Sequence, residues 1–148
     1  MTFRYATLND LDCVIRYINL IPIREHRKKI ATITKEKLEK WHLMYHAFVV
    51  LAEDKGEVVG YALFYPVVDL YSVSPLMHIE DIFIDAPLRR KGYGREFMRY
   101  LANITKSSKW SGMEWNAPDW DSEAIGFFDK IGAEREAGRI YFRQNIVK

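Results

Sequence analysis

The feature that most constrains the fold is an apolar strand pattern followed at once by a basic, glycine-containing turn and an amphipathic helix. The strand pattern covers residues 76–84, and the turn holds four cationic side chains and two glycines between positions 89 and 95. The helix that follows carries its apolar residues on one side, at Phe97, Met98, Leu101 and Ile104. A strand joined to such a helix predicts an α/β fold in which the helix covers one face of a sheet.

The turn itself predicts an anion site. Glycines at 92 and 94 let the backbone approach a ligand without an intervening Cβ atom, and the helix start adds converging N–H groups and about half a positive charge. A multiply charged anion, most simply a pyrophosphate, suits the seven residues Arg89, Arg90, Lys91, Gly92, Tyr93, Gly94 and Arg95. The GxGxxG and Walker patterns are both absent. Taken alone, such a cluster is more often a solvated basic turn.

The remaining periodicities predict an α/β sandwich with a mixed, mostly antiparallel central sheet flanked by helices, in the order β-α-α-β-β-β-α-β-α-β-β. Thr7, Thr34 and Asp121 are the predicted helix caps, and Pro22 is expected to end the first helix or to open the next segment. The last two strands form a predicted hairpin, with strands at Ala133–Ala137 and Arg139–Ile146. At 148 residues the chain is expected to be one domain, 1–148.

Composition excludes several classes of protein. The one cysteine, Cys13, permits neither an intrachain disulfide nor a cysteine-only metal site. The longest apolar run, Ala47–Ala52, is far shorter than the roughly 20 residues of a membrane span, and the N-terminus has no signal-peptide pattern. A net charge of +2 is too small to imply a nucleic-acid partner. We therefore expect a cytoplasmic protein with neither a membrane nor a nucleic-acid partner.

Metal binding and a cysteine nucleophile are also not expected. His42 and His46 stand four residues apart, as metal ligands on a helix do, but Leu43 replaces the glutamate of the HExxH motif. Cys13 lies off the apolar side of its helix and has no evident histidine partner. The sequence therefore predicts no metal site.

Two motifs together resemble those of the GNAT acetyltransferase family. The run Arg89-x-x-Gly92-x-Gly94 matches the family signature Gln/Arg-x-x-Gly-x-Gly/Ala between a strand and a helix. The segment from Asp121 to Ala133 looks like the family's second motif. The resemblance covers nearly the whole chain and implies acetyl transfer from the co-substrate acetyl-CoA to an amine.

Within that family the chain resembles the diamine (spermidine/spermine) acetyltransferases. The similar segments are Gly60–Tyr65, Glu80–Phe83 and Asp119–Asp121, together with an aspartate at Asp69. The resemblance implies a small-molecule primary amine as acceptor, such as a polyamine or an amino acid, and a homodimer. A peptide or protein acceptor is the alternative.

The resemblance also implies the roles of particular residues. Glu80 and Asp81 are candidates for the general base, and Asp69 and Glu80 for binding of the acceptor. Because side chains alternate along a strand, Glu80 and Asp81 are expected on opposite faces, and we favour Glu80 as the base. Either carboxylate could instead satisfy only structural hydrogen bonds. Coenzyme binding is assigned to Ile82, Ile84, the seven residues of the basic turn, Asp121 and Phe128.

Two departures from the family pattern leave alternatives open. Phe128 stands where the family usually has a tyrosine as general acid. Three interpretations are open: the thiolate leaves unaided, Tyr93 or Tyr141 supplies the proton instead, or the protein binds acyl-CoA and catalyses poorly. The basic segment Arg24–Lys29 replaces acidic residues of the diamine enzymes. It would suit an acceptor that bears a carboxylate, or it is only a solvated surface. A nucleic-acid module is ranked last because no such motif is present.

Overall fold

The structure is a computed structural model that describes residues 1–28 and 32–146, apart from the side chain of Leu43. The chain divides into two compact units, Met1–Asn116 and Ala117–Lys148, each of which is described by itself. The single-domain organisation of 1–148 stays a prediction.

The first unit contains a five-stranded sheet and three α-helices. In chain order the elements are β1 (Thr2–Tyr5), α1 (Leu11–Arg24), α2 (Lys35–Tyr45), β2 (Phe48–Asp54), β3 (Glu57–Asp69), β4 (Ser74–Ile84), α3 (Tyr93–Ser107) and β5 (Gly112–Trp115). Short 3-10 turns precede α1 and α3. The strands lie side by side in the order β1-β2-β3-β4-β5, antiparallel except for the parallel pair β4–β5. The mixed, mostly antiparallel sheet of the α/β prediction is confirmed.

Helices cover both faces of this sheet. Val14 and Tyr17 of α1 form one buried cluster with Leu51, Tyr61 and Leu63 of the sheet, to which α2 contributes Leu38. On the opposite face, α3 buries Phe97 and Leu101, and its Thr105 contacts Met77 of β4. The amphipathic helix after the basic turn therefore covers a face of the sheet as its periodicity predicts.

Two helix caps form as predicted, and one helix end differs. Thr7 and Asp10 make reciprocal bonds at the start of the 3-10 turn before α1, and Thr34 accepts from Lys37 N at 3.3 Å. Pro22 does not end α1, which continues to Arg24. A proline this close to the C-terminus removes one backbone bond, and the last turn is closed by Glu25 N donating to Ile21 O at 2.9 Å.

The second unit contains α4 (Ser122–Lys130), which begins at the predicted Asp121 cap. The predicted final hairpin, Ala133–Ala137 and Arg139–Ile146, is wrong, because residues 133–146 form neither strand nor helix. Alternating apolar residues make a strand only when the backbone has a partner, and an isolated two-stranded hairpin is marginally stable. Arg135 Nε instead donates to Asp129 Oδ1 of α4 at 3.0 Å, and Tyr141 and Phe142 are more than four-fifths exposed.

Candidate active site

A β-bulge in β4 places both candidate carboxylates on one face of the sheet. Leu63 of β3 pairs with Asp81 and Phe64 pairs with Ile79, so Glu80 is the extra residue between them. The bulge shifts the alternation by one, and Asp81 therefore lies on the same face as His78. The predicted placement of Glu80 and Asp81 on opposite faces was wrong, because strict alternation assumes a strand without a bulge.

The bulge coincides with the point at which β4 and β5 separate. Their parallel pairing runs only from Leu76–Gly112 to Ile79–Trp115, and no described strand pairs with β4 beyond Ile79 on that side. We call the backbone from Glu80 to Ile84 on this side the unpaired edge.

The two isoleucines assigned to the coenzyme offer backbone groups to the unpaired edge. Asp85 N donates to Val59 O at 2.9 Å, so the backbone groups of Asp85 point toward β3. Because the backbone N–H and C=O groups of an antiparallel strand point to the two sides in alternate residues, those of Ile82 and Ile84 point away from β3. Arg89 Nε accordingly reaches Ile84 O from that side, at 2.9 Å. The unpaired edge can therefore offer hydrogen bonds to an extended ligand.

Asp81 is held by two donors from other elements. Arg24, near the end of α1, donates to Asp81 through both terminal nitrogens, with Nη1 3.3 Å from Oδ1, and the hydroxyl of Tyr61 donates to Oδ2. The Asp81 side chain is 14% exposed and that of Arg24 is 25% exposed. Burial, followed by the neighbouring Asp81 charge, holds the pKa of Tyr61 well above its usual range. These contacts tie α1 to β4.

Glu80 belongs to a different network, which sequence analysis missed. Its Oε2 accepts from the hydroxyl of Tyr65 at 2.7 Å and lies 3.4 Å from His78 Nε2. The other ring nitrogen of His78, Nδ1, lies 3.0 Å from Glu114 Oε1 on β5. The His78 hydrogen bond, followed by that of Tyr65, lowers the pKa of Glu80, whose side chain is 54% exposed. Glu80 is therefore ionised at neutral pH and accessible to solvent.

One part of this network was detectable in the sequence. His78 and Glu80 stand two residues apart on a strand and so share a face, as the alternation indicates. The pairing of His78 with Glu114 was not detectable, because it depends on the register of two strands separated by α3.

The basic turn has the backbone geometry expected of an anion site. Arg90 and Gly92 have φ angles of 61° and 88°, and nothing lies within 4 Å of the position that a Cβ of Gly92 would occupy. The first backbone bond of α3 runs from Glu96 N to Gly92 O. The N–H groups of the three preceding residues therefore have no carbonyl partner within the helix. Exposed cationic side chains surround this helix start, at Arg90, Lys91 and Arg95.

Arg89 differs from its neighbours in the turn. Besides donating to Ile84 O, its guanidinium lies 4.7 Å from the centre of the Phe83 ring. Because these contacts join the turn to the end of β4, Arg89 fixes the position of the turn relative to the unpaired edge.

Asp69 is not brought near the two carboxylates of β4. It pairs with Ser74 at the far end of β3, six residues along from Leu63, which corresponds to about 20 Å of strand. Its carboxylate accepts from Tyr71 N at 3.2 Å and from Ser72 N at 3.1 Å. Within one chain, Asp69 therefore stabilises the β3–β4 turn and does not share a site with Glu80.

The second unit holds the remaining candidates for coenzyme binding. Asp121 Oδ1 accepts from Ala124 N at 3.0 Å and caps α4. The ring of Phe128 lies 5.2 Å from that of Phe127 on the same helix. Tyr141, one candidate proton donor, is 84% exposed.

Among residues 1–28 and 32–146, no group of three or more His, Cys, Asp or Glu side chains is arranged to hold a metal ion. His42 Nδ1 lies 3.0 Å from Ala47 O, and His46 is the left-handed C-cap of α2. No helix in the described part of the chain has the length and apolarity required to cross a membrane.

Comparison with curated proteins identifies two relatives with amine substrates in their names. L-ornithine N5-acetyltransferase of Arabidopsis thaliana is 34% identical over 77 residues, which span 52% of this chain and only 34% of that protein. Thialysine N-epsilon-acetyltransferase of Caenorhabditis elegans is 29% identical over 128 residues, 85% of this chain and 78% of that protein.

Comparison with solved structures supports the fold. An aminoglycoside acetyltransferase from an uncultured soil metagenomic sample superposes with a TM-score of 0.81 at 22% identity, over 97% of this chain and 96% of that one. The acetyltransferase (GNAT) family model matches residues 12–133, which include β4, the basic turn and α4. The match confirms the family and the enzyme class that the sequence motifs predict. This chain therefore belongs to the GNAT family of acetyltransferases.

Proposed function

We propose that this chain transfers an acetyl group from acetyl-CoA to the primary amine of a small molecule, with Glu80 as the general base. The observation that carries the proposal is the sequence of two features along the chain. The unpaired edge of β4 begins at Glu80, and after one short 3-10 turn the basic turn at the start of α3 follows. A coenzyme with an amide-containing arm and a diphosphate needs both features side by side.

The residues present fit the coenzyme. The N–H groups at the start of α3, with Arg90, Lys91 and Arg95, form a cradle for a diphosphate. Backbone groups of Ile82 and the N–H of Ile84 on the unpaired edge face the side on which an extended arm would lie, whereas the carbonyl of Ile84 already accepts from Arg89. When bound, acetyl-CoA supplies the acetyl thioester and a thiolate leaving group.

The acceptor nitrogen needs a base. With a pKa near 10.4, an alkylamine is neutral in only about one molecule in 2,500 at pH 7. Attack on a carbonyl carbon makes the nitrogen a much stronger acid, so an ionised carboxylate can take its proton. Glu80 is ionised and half-exposed, whereas both oxygens of Asp81 are engaged by Arg24 and Tyr61. Glu80 therefore suits this role better than Asp81.

The acceptor class follows from charges around the site and from the two relatives. Ornithine and thialysine, in the names of those relatives, are amino acids with a side-chain amine. The half-exposed carboxylates of Glu80 and Glu114 attract an ammonium group. In the basic segment Arg24–Lys29, Arg24 is paired with Asp81 and Arg27 lies 2.9 Å from Glu25, while Lys29 lies outside the described residues. On the names of the two relatives, we favour a small amino acid with a side-chain amine over a polyamine.

Calorimetry and a thiol-release assay test the proposal. The protein should bind CoA and should release free thiol from acetyl-CoA with at least one member of a panel of ornithine, thialysine, lysine, spermidine and an N-terminal peptide. Reversing the charge in Lys91→Glu should weaken CoA binding about tenfold. The matched control Lys109→Glu, beyond the opposite end of α3, should leave it unchanged. No binding of CoA at millimolar concentration would refute the proposal.

Phe128 favours a second candidate, an acyl-CoA-binding protein with little turnover. A phenylalanine cannot donate a proton to the leaving thiolate, although a thiol pKa of about 8.5 permits unaided departure near neutral pH. CoA binding without thiol release from any acceptor, and a gain of rate in Phe128→Tyr, would favour this second candidate.

Two expectations stay predictions, the homodimer implied by the resemblance and the cytoplasmic location expected from the composition. A homodimer predicts twice the mass of one chain in light scattering at micromolar concentration. A cytoplasmic location predicts recovery of the protein in the soluble cytosolic fraction of its cell.

A further inference from the structure

His78 lies between two carboxylates at the place where the strands separate. The Nε2 atom is 3.4 Å from Glu80 Oε2 and the Nδ1 atom is 3.0 Å from Glu114 Oε1. His78 and Glu114 are directly opposite each other in the β4–β5 register, one position before the last paired residues. The imidazole thus joins the bulged residue of β4 to β5.

The direction in which the pKa of His78 is shifted agrees with this geometry. The hydrogen bond with Glu80, followed by that with Glu114, raises the pKa of His78, and burial opposes the change. The titratable groups that face the ring are Tyr65 from β3, Glu80 from β4 and Glu114 from β5. An imidazolium can donate from both ring nitrogens, so it can bond both carboxylates at once.

We propose that His78 is a positioning residue for acyl transfer, which holds the carboxylate of Glu80 at the start of the unpaired edge and is itself held by Glu114. The proposal rests on the proposed function, in which Glu80 is the base. It assigns no contact between His78 and a substrate.

The conformation of Glu80 explains why such a residue is needed. Glu80 is the unpaired extra residue of a bulge, and its side chain has three rotatable bonds and is 54% exposed. A free glutamate there would sample several rotamers. Tyr65 donates to Oε2 and His78 Nε2 lies 3.4 Å from the same oxygen, and two such contacts disfavour the other rotamers. Small displacements of a catalytic group reduce rates strongly, so fixing Glu80 has a kinetic effect.

Kinetics of three variants test the role. We expect His78→Gln to lower kcat about tenfold with little change in the KM for acetyl-CoA, because the proposal assigns His78 no contact with the coenzyme. Its pH profile should lose activity at a higher pH on the acid side than the wild type, since Glu80 loses the donor that lowers its pKa. Glu114→Gln should change kcat and the pH profile in the same direction but less. The control His46→Gln, at the exposed C-cap of α2, should change neither kcat nor the pH profile.

The double variant of Glu80 and His78 tests the positioning role more sharply, because the two losses of activity should not add. Adding His78→Gln to Glu80→Gln should cause no further loss, because a positioning residue has nothing left to position. Independent losses in the double variant would overturn the proposal.

An NMR titration gives a readout that needs no turnover. In the full-length protein the imidazole of His78, assigned by its loss in His78→Gln, should titrate above the ordinary histidine range, and both Glu80→Gln and Glu114→Gln should lower its pKa. An unperturbed His78 would overturn the inference. Unchanged kinetics of His78→Gln in an active enzyme would overturn this inference alone, whereas an inactive wild type would overturn the proposed function and with it the role of His78.

Discussion

Removing the charge of Asp81 should mainly lower stability, whereas removing the charge of Glu80 should mainly lower activity. Asp81→Asn leaves the guanidinium of Arg24, three-quarters buried, without its anion. Breaking a buried ion pair costs about 3–5 kcal/mol, and the partial exposure of both groups reduces this to about 2–3 kcal/mol. For a chain of this size the melting temperature should fall by about 5–10 °C. Glu80→Gln removes only half-exposed contacts worth at most about 1 kcal/mol.

The loss of activity should be larger in Glu80→Gln than in Asp81→Asn, which is the reverse of the order in stability. Glu80→Gln should lower kcat/KM at least about 100-fold, because it removes a general base. Asp81→Asn, assayed well below its melting temperature, should lose less. Differential scanning fluorimetry and the thiol-release assay make both comparisons on the same two proteins.

A double variant separates the ion pair from other effects. Arg24→Gln with Asp81→Asn should be more stable than the sum of the single changes by about 1–2 kcal/mol, since the two side chains are in direct contact. The reasoning would be refuted if Asp81→Asn kept its stability and lost turnover, or if Glu80→Gln were the more destabilised protein.

Two further predictions concern stability. A Cβ at Gly60 would lie 2.6 Å from Phe83 O, so Gly60→Ala should destabilise the protein by about 1–3 kcal/mol. Gly126→Ala, in open space on α4, should stabilise it by about 0.5–1 kcal/mol. Urea unfolding measures both changes. The hydrogen bond from Arg4 holds the pKa of Asp10 well below its usual range. The stability from Asp10 is therefore present above pH about 4 and lost as pH falls. An acid titration should show less of this loss in Asp10→Asn.

The family signature carried most of what the sequence could determine. The glycines and cations between positions 89 and 95 predict a basic turn at a helix start, because helix starts and left-handed glycines act locally. The resemblance of the surrounding motifs to the family then made this turn a predicted coenzyme site. The capping residues Thr7, Thr34 and Asp121 are likewise local, and each forms its predicted cap. Periodicity correctly predicted which helix side contacts the sheet, because burial of apolar residues selects one face.

The arrangement of the carboxylates was decided only by the tertiary structure. A bulge at Glu80 reverses the alternation of β4, and a bulge depends on the register with β3 rather than on the residues of β4 alone. The contacts of Asp81 with Arg24 and of His78 with Glu114 join residues 57 and 36 positions apart. Alternation in 133–146 did not produce strands, since a strand requires a partner that local pattern does not supply. Local rules thus predicted the helices and their buried sides, and long-range pairing determined which strands form and which side chains meet.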